Sequence, residues 1–387
     1  MCVPKPSGWG RRSFVAAELD GNAVARMTAL APSTIAELTD AVRATPRVLA
    51  VGARTKPRLS EVEGGVAWIT MHGLSCILEY DPGEFTFTAL AGTPVREIAA
   101  ALAERGQYLP FDPMLVDAGA TLGGTVAAGL SGPGRFRFGG VRDFILGVRF
   151  VDGAGRLLRM GGKVVKNAAG IDLPKFFVGS LGRLGVLAEM TFKVFPRPAS
   201  ALTLRLDATT LDDVVRIFTQ AASSRFEFDA LDLPHGGSGV LARLAAPAAA
   251  LDAIPREVLA RWPGAILTSD EAHRAWTELR EFLWCDPAEP LVKVALAPAG
   301  VAPLGLAVQS LDGARMHVSA GGNVAFVALR GTAQAPAFDE QLRKLGLSGV
   351  ALRGEAPRWL GVRARPAIAR AVKQALDAEN RFPSLDD

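Results

Sequence analysis

Ala118-Gly-Ala-Thr-Leu-Gly-Gly-Thr-Val-Ala-Ala-Gly129 is the stretch on which the fold turns. It opens a glycine-studded run that continues through Arg142-Asp-Phe-Ile-Leu-Gly147 and Val165-Lys-Asn-Ala-Ala-Gly-Ile-Asp172. The run closes with Gly179-Ser-Leu-Gly-Arg-Leu-Gly-Val-Leu-Ala-Glu189. One reading of Ala118–Gly129 is a small-residue helix packed tightly on a neighbour, with no ligand. Yet Gly123-Gly124 inside a helix weakens it by about 1 kcal/mol each relative to Ala, and close approach of a ligand to the main chain supplies a reason for them. Runs of N–H groups in such loops form concave nests for anions. A long, mostly uncharged stretch of this kind fits a large, flat, partly phosphorylated ligand held by main chain. It reads as a flavin dinucleotide site.

Upstream, Thr34 and Glu37 form a capping-box pattern, Ile35, Leu38 and Val42 share a helical face, and Pro46 ends the helix. Val48–Val51 is a short apolar strand that runs into Gly52-Ala-Arg-Thr-Lys56. Further strands are expected over Val66–Met71 and Cys76–Tyr80, and a half-buried one over Phe85–Leu90. The clearest helix follows, capped by Thr93 with Pro94 at its first position, and closed by Gly106. Phe144–Arg159 reads as a hairpin around Asp152-Gly-Ala-Gly155, Val186–Phe195 as a strand, and Pro196-Arg-Pro198 as a boundary.

Beyond the boundary the texture changes. Strands are expected at Leu202–Leu206, Leu291–Ala297 and Val324–Leu329. Helices are expected after Thr210, with Leu211, Val214, Val215 and Phe218 inward, and over Asp270–Trp284 and Pro366–Asp377. Mixed order of this kind indicates an α+β unit with an antiparallel sheet. Residues Pro234–Pro255, rich in Gly, Ala and Pro, carry no clear periodicity.

A chain of 387 residues exceeds one ordinary core, so two domains are expected. The net charge of +4 is small for that length and does not indicate a nucleic-acid partner. Three cysteines, odd in number and without a CxxC, argue against a zinc ribbon, an iron–sulfur site or a disulfide framework, and fit a reducing cytoplasm. No basic start followed by an apolar run suggests a leader, and no eighteen-residue apolar stretch suggests a membrane span.

Among candidate chemistry, the Gly52–Lys56 loop could hold a pyrophosphate on its N–H groups, with Thr55 and Lys56 as added donors; the other reading is a tight turn with a solvated lysine. Lys166, Asn167 and Asp172 serve equally as turn and cap residues. Arg135, Arg137 and Arg142 cluster beside glycines. They read as a solvated loop when taken alone, and as an attractor for a carboxylate if a flavin lies near. The four histidines are scattered without HxxxH or HxH, so no metal site is expected. His317 reads as structural, and no GxSxG supports a hydrolase.

Together, Gly52-Ala-Arg-Thr-Lys-Pro57, Leu109-Pro-Phe-Asp-Pro113, Ala120-Thr-Leu-Gly-Gly124, Arg142–Gly147 and Gly179–Val186 resemble the flavin-binding domain of the vanillyl-alcohol oxidase/p-cresol methylhydroxylase (PCMH) superfamily, over about residues 26–198. Within it, Ala127-Ala-Gly-Leu-Ser-Gly-Pro133 and Val164-Val-Lys-Asn-Ala-Ala-Gly-Ile-Asp-Leu173 resemble the E-subunit family of bacterial glycolate oxidases. Residues 1–25, irregular with Pro4, Pro6 and Gly8, read as an N-terminal arm; the resemblance implies a two-lobed PCMH-type FAD-binding domain at 26–198, with lobes of about 26–110 and 111–198. It implies an α+β cap domain at 199–387. It further implies FAD as cofactor, and a complex with a D-like flavoprotein subunit and an F-like iron–sulfur subunit that oxidises glycolate, or a related 2-hydroxy acid, to the 2-oxo acid. Such a complex would be cytoplasmic, touching the inner face of the membrane only through partners.

Carried over by motif, Gly52, Ala53, Arg54, Thr55 and Lys56 would hold the pyrophosphate. Pro113, Ala120, Thr121, Gly123, Gly124, Thr125 and Gly129 would line the other side of FAD, with Gly185, Val186 and Leu187 near the isoalloxazine or ribityl chain. The likeness departs at Arg54, where relatives usually have Gly, and at Arg183, where a small residue is commoner. Asp377-Ala-Glu-Asn-Arg-Phe-Pro383 follows the family's closing DP…FNPG pattern only loosely. His317-Val-Ser-Ala-Gly-Gly-Asn323 lacks the histidine-rich GDGN-H segment of catalytic D-type relatives, so no catalytic base is assigned. Two other readings stand beside this one: a self-sufficient flavin oxidase or dehydrogenase of another small alcohol or hydroxy acid, and a flavin-free scaffold that keeps only the fold.

Overall fold

The structure, a computed structural model, describes residues 29–162, 172–237, 239–363 and 367–386. The expected arm at 1–25, most of the Val165–Asp172 motif and Pro366 lie outside the described residues.

Helix Ile35–Ala44 begins as its sequence dictates. Thr34 Oγ1 accepts the Glu37 N–H at 3.2 Å, the Glu37 carboxylate accepts Ser33 N at 2.8 Å, and Leu38 and Val42 are buried. It leads into Val48–Val51, which pairs in parallel with Ala67–Thr70; Ala29–Leu30 adds to the far side of that three-stranded sheet. A second sheet of five antiparallel strands runs in the order Ile77–Asp81, Thr86–Leu90, Val186–Lys193, Ile145–Val151 and Leu157–Gly161.

Two local expectations are corrected here. Thr86–Ala89 is buried on both faces rather than half-buried: Phe87 and Ala89 pack into a hydrophobic core, and on the other face Thr88 Oγ1 meets Thr191 Oγ1 at 2.9 Å. Thr93 does not cap the helix Val95–Ala103. Pro94 takes that position, and the Thr93 hydroxyl is drawn inward to Cys76, accepting its N–H at 2.9 Å and donating to its carbonyl at 3.1 Å.

The second half forms one long antiparallel surface. Gly264–Ile266, Ala201–Asp207, Gly239–Ala245 and Phe228–Asp232 form one group, in that order. Arg315–Ser319, Val324–Ala328, Leu291–Ala295, Ser348–Arg353 and Trp359–Gly361 form the other. A bridge joins the groups: Leu233 N donates to Val318 O at 2.7 Å, and Val318 N to Leu233 O at 2.9 Å. Gly239–Ala245, in the stretch without periodicity, thus pairs inside the sheet, because register comes from its partners rather than from local pattern.

Residues on one strand alternate between two faces, and the two faces have different neighbours. Val292, Val294, Ala325 and Val327 pack under the helices Leu211–Ala222, Val301–Gln309 and Ala335–Lys344. In the first of these helices Val214, Ile217, Phe218 and Ala221 are buried, while the expected Leu211 and Val215 sit at the edge. Leu291, Val324, Phe326 and Leu241 turn the other way. They join Met114, Leu115, Ala120 and Leu130 in a core shared with the first half and with Trp276 and Phe282. The sheet therefore lies with one face against the glycine-rich segment.

The end of the chain returns to the first half. Helix Ala367–Leu376 is followed by Phe382, which is 1% exposed in the first core. Arg381 Nη1 donates to the carbonyls of Val42, Arg43 and Thr45 at 3.2, 3.0 and 3.0 Å, covering the C-terminus of helix Ile35–Ala44. Among the described residues, no helix is long and apolar enough to cross a membrane, and no group of three His, Cys, Asp or Glu side chains is placed to hold a metal ion.

Candidate functional site

Strand Val48–Val51 delivers Gly52–Lys56 to the end of the short helix Leu122–Ala128. Contact there is close. A Cβ on Gly52 would stand 2.3 Å from Thr121 Oγ1, so only glycine lets the loop reach the helix. Thr121 holds its hydroxyl in place by capping, since Oγ1 accepts the Gly124 N–H at 3.2 Å. Between loop and helix lies a cleft lined by Gly52, Ala53, Arg54, Thr55, Lys56 and Thr121, with Gly124, Ala127, Ala128, Leu181 and Gly182 behind them.

The loop offers donors. Among the described residues, no acceptor in the chain meets the N–H groups of Ala53, Arg54, Thr55 or Lys56. Lys56 is 8% exposed, and its ammonium donates to Thr55 Oγ1 at 2.8 Å. Burial pushes it down to about 8, while the Glu281 carboxylate pulls it partly back. Arg54 adopts φ 52°, the left-handed conformation a glycine would take, and its guanidinium lies over the Trp68 ring at 4.2 Å. The loop thus keeps its shape without the glycine.

Helix Leu122–Ala128 behaves differently. Its first N–H groups are already engaged: Leu122 N to Thr93 O at 2.9 Å, Gly123 N to Ala91 O at 2.8 Å, and Gly124 N to Thr121. Gly123 serves packing, because a Cβ there would meet Ala91 Cβ at 2.9 Å and Ala91 O at 3.0 Å. Small residues on this helix supply a thin wall, and the free amides belong to the facing loop.

The other residues expected to contact the ligand are spread out. Ala120 is buried in the shared core, and Pro113 lies beside its Met114 and Leu115 members, away from the cleft. Thr125 is buried, with an unpartnered Oγ1 beside the cleft residue Gly124. Gly129 ends the helix at φ 57°, with its carbonyl turned to Lys293. Gly185 packs on Phe150 and Val151, and Val186 and Leu187 are buried in the five-stranded sheet. So the structure gathers Gly52–Lys56, Thr121 and Gly124 around one cleft, and sets Gly185–Leu187 apart from it.

Several neighbours had no local signal. Arg183, 1% exposed, donates through Nη1 to Leu59 O at 3.0 Å and to Leu181 O, tying the wall behind the cleft together. Glu281, at the end of helix Ser269–Glu281, accepts the N–H groups of Asp117 and Ala118 at 3.2 Å each. Ser180 Oγ, next to cleft residue Leu181, is buried without a partner. None of these contacts follows a sequence period, and Arg183 and Glu281 act on segments more than a hundred residues away.

The cleft fits the phosphates of a dinucleotide. It combines free loop amides with a buried ammonium, a donor set suited to an anion. Its volume of about 80 Å³ is the space of two or three water-sized groups, so the remainder of such a ligand lies outside it.

Comparison with known proteins agrees. Residues 28–161 match the family described as FAD binding domain. This segment is an FAD-binding domain.

Among curated proteins, the glycolate oxidase subunit GlcE of Escherichia coli (strain K12) is 54% identical over 129 residues, which is 33% of this chain and 37% of that one. The glycolate oxidase subunit GlcD of Bacillus subtilis (strain 168) is 32% identical over 160 residues, 40% of this chain and 34% of that one. A D-lactate dehydrogenase of Anaerostipes hadrus is 30% identical over 157 residues, 41% of this chain and 33% of that one. The matched part thus spans about a third of the length of these relatives. Alkyldihydroxyacetonephosphate synthase superposes with a TM-score of 0.69 at 16% identity, covering 91% of this chain and 75% of that one. The likeness is of fold: a PCMH-type FAD-binding domain followed by an α+β cap with an antiparallel sheet.

Proposed function

We propose that this chain is the FAD-binding subunit of a glycolate oxidase (glycolate dehydrogenase) complex, oxidising glycolate or a related 2-hydroxy acid to the 2-oxo acid with a D-like flavoprotein and an F-like iron–sulfur subunit. The observation that carries this reading is the 54% identity to a glycolate oxidase subunit over 129 residues. In the same reading, residues 26–198 make the FAD-binding domain, 199–387 the cap and 1–25 an arm, and the complex is cytoplasmic.

When bound, FAD supplies a ring nitrogen that accepts a hydride from the substrate's α-carbon. What the chain's own residues supply is binding and shielding. The N–H groups of Ala53–Lys56 and the Lys56 ammonium hold the two phosphates. Thr121, Gly124, Ala127 and Ala128 form the wall opposite. The cap sheet lies over the glycine-rich segment and shields it from water. Because Arg54 takes the glycine-like conformation, the loop retains its donors, which supports the flavin reading over a flavin-free scaffold.

The visible spectrum of the purified chain is the first test. A yellow protein, or one reconstituted by added FAD, is expected, and a colourless one that cannot be reconstituted overturns the reading. Glycolate-dependent dye reduction comes next. Turnover that appears only with D-like and F-like partners agrees with the proposal, whereas turnover by the chain alone favours a self-sufficient enzyme.

A further inference from the structure

Helix Ser269–Glu281 of the cap ends on a carboxylate, the charge that the negative end of a helix disfavours. Glu281 is also only 9% exposed, where a carboxylate needs partners. They come from the other half of the molecule. Oε1 accepts the Asp117 N–H and Oε2 the Ala118 N–H, at 3.2 Å each. One residue earlier, the Arg280 carbonyl accepts the Leu115 N–H at 3.1 Å. Leu115 stands at φ 59°, a conformation that a bulky residue takes only when its surroundings hold it. The end of one cap helix thus grips three amides of the stretch Leu115–Ala118, although Asp117 and Ala118 themselves are exposed.

What these contacts position is the wall of the phosphate cleft. Ala120 N closes the gripped loop onto Leu115 O at 2.9 Å, and the next residue is Thr121. Thr121 caps helix Leu122–Ala128 and lies against Gly52, so a shift of the loop is carried to the cleft. The domain holds the same wall on its own account, through Leu122 N to Thr93 O at 2.9 Å and Val95 N to Ala120 O at 2.8 Å. The grip of the cap adds to these and acts only while cap and domain are docked. Glu281 also has an opposing effect. Burial lowers Lys56 and the Glu281 carboxylate partly restores it, so the same negative charge stands near enough to repel the phosphates.

We propose that Glu281 is a positioning residue for the dinucleotide. It does not line the cleft. It holds the Leu115–Gly119 loop, and through that loop Thr121, in the geometry that receives the phosphates. This rests on the functional reading above. FAD affinity then depends on the docking of the cap, and by linkage bound FAD tightens the grip of the cap by the same factor. Two hydrogen bonds to a charged acceptor suffice for a coupling of about tenfold.

FAD binding to the full purified chain is titrated by flavin fluorescence for wild type, Glu281→Asp and Glu281→Ala. Amide exchange across residues 115–121 is followed with and without FAD. Glu281→Asp keeps the charge near Lys56 but draws the carboxylate back by one methylene, about 1.5 Å, out of reach of the two amides. FAD should bind Glu281→Asp about tenfold more weakly than wild type. Glu281→Ala should lose less, because removing the charge returns part of the affinity. Asp117 and Ala118 should exchange faster in both variants. In wild type, FAD should slow that exchange by about the factor it loses in Glu281→Asp, a response that a merely structural contact would not give. Unchanged FAD affinity in folded Glu281→Asp, or wild-type exchange that ignores FAD, overturns the inference and leaves the flavin reading standing. Tighter binding in Glu281→Ala with unchanged binding in Glu281→Asp also overturns it, and makes Glu281 a counter-ion of Lys56. A wild type that binds no FAD sinks both. If Glu281→Ala fails to fold, Glu281→Asp decides alone.

Discussion

Arg54 shows how a residue against the local rule is kept. A non-glycine side chain at φ 52° carries strain of about 1 kcal/mol, and stacking on Trp68 returns a similar amount. Arg54→Ala should therefore destabilise the protein by about 1 kcal/mol, because it keeps the strain and loses the stack. Arg54→Gly should be close to neutral. Urea unfolding of both variants checks this: no loss in Arg54→Ala would show that the stack contributes nothing, and equal losses in the two would show that the left-handed conformation carries no strain. Gly52 has no such latitude. Gly52→Ala pushes on Thr121 Oγ1, and moving that hydroxyl removes the helix cap, a loss of about 1 kcal/mol. Weaker FAD binding should accompany it, read by flavin fluorescence titration.

At the scale of elements, helix Leu122–Ala128 is held against Ala91 by the absence of a side chain at Gly123. Gly123→Ala gains helix propensity but overpacks that contact, and should cost about 1–3 kcal/mol net. Stabilisation instead would mean the helix has room to move. The closing segment Asp377–Pro383 is an element in the same sense. Asp377 accepts the N–H groups of Arg381 and Phe382 at 2.8 and 3.0 Å, and the segment places Phe382 in the first core. Phe382→Ala should cost about 3–5 kcal/mol, measured by thermal or chemical unfolding. The caps of helices Ile35–Ala44 and Leu211–Ala222 were legible because Thr and an acidic residue three positions on act on their own backbone. Strands such as Ser348–Arg353 and Trp359–Gly361 were not, since their pairing with distant partners, not their pattern, makes them strands.

At the scale of the whole molecule, burial lowers both Lys56 and Lys293 to about 8 from 10.5. The unfolded chain then binds more protons than the folded one between about 8 and 10.5. Stability of the FAD-free protein should therefore rise with pH across that window, and the penalty should be full below pH 8. Urea unfolding at pH 7.5 and pH 10 measures it, and the gain should shrink in Lys293→Met. A flat profile would mean that both lysines are solvated.

What the sequence by itself determined are features whose cause is local. A glycine-rich stretch fits a large, partly phosphorylated ligand, caps and prolines mark the ends of helices, and a short apolar strand feeds the Gly52–Lys56 loop. Together these motifs, in order, already resemble an FAD-binding fold. Only the tertiary structure decided that the free amides sit on Ala53–Lys56 while the helix amides are spent on Ala91, Thr93 and Thr121. It also decided that Lys293 reaches the Gly129 carbonyl across the cap junction, and that the end of the chain closes the first core. The reason is physical: whether an N–H or an ammonium is free depends on which distant acceptor folding brings to it, and no spacing along the chain records that distance.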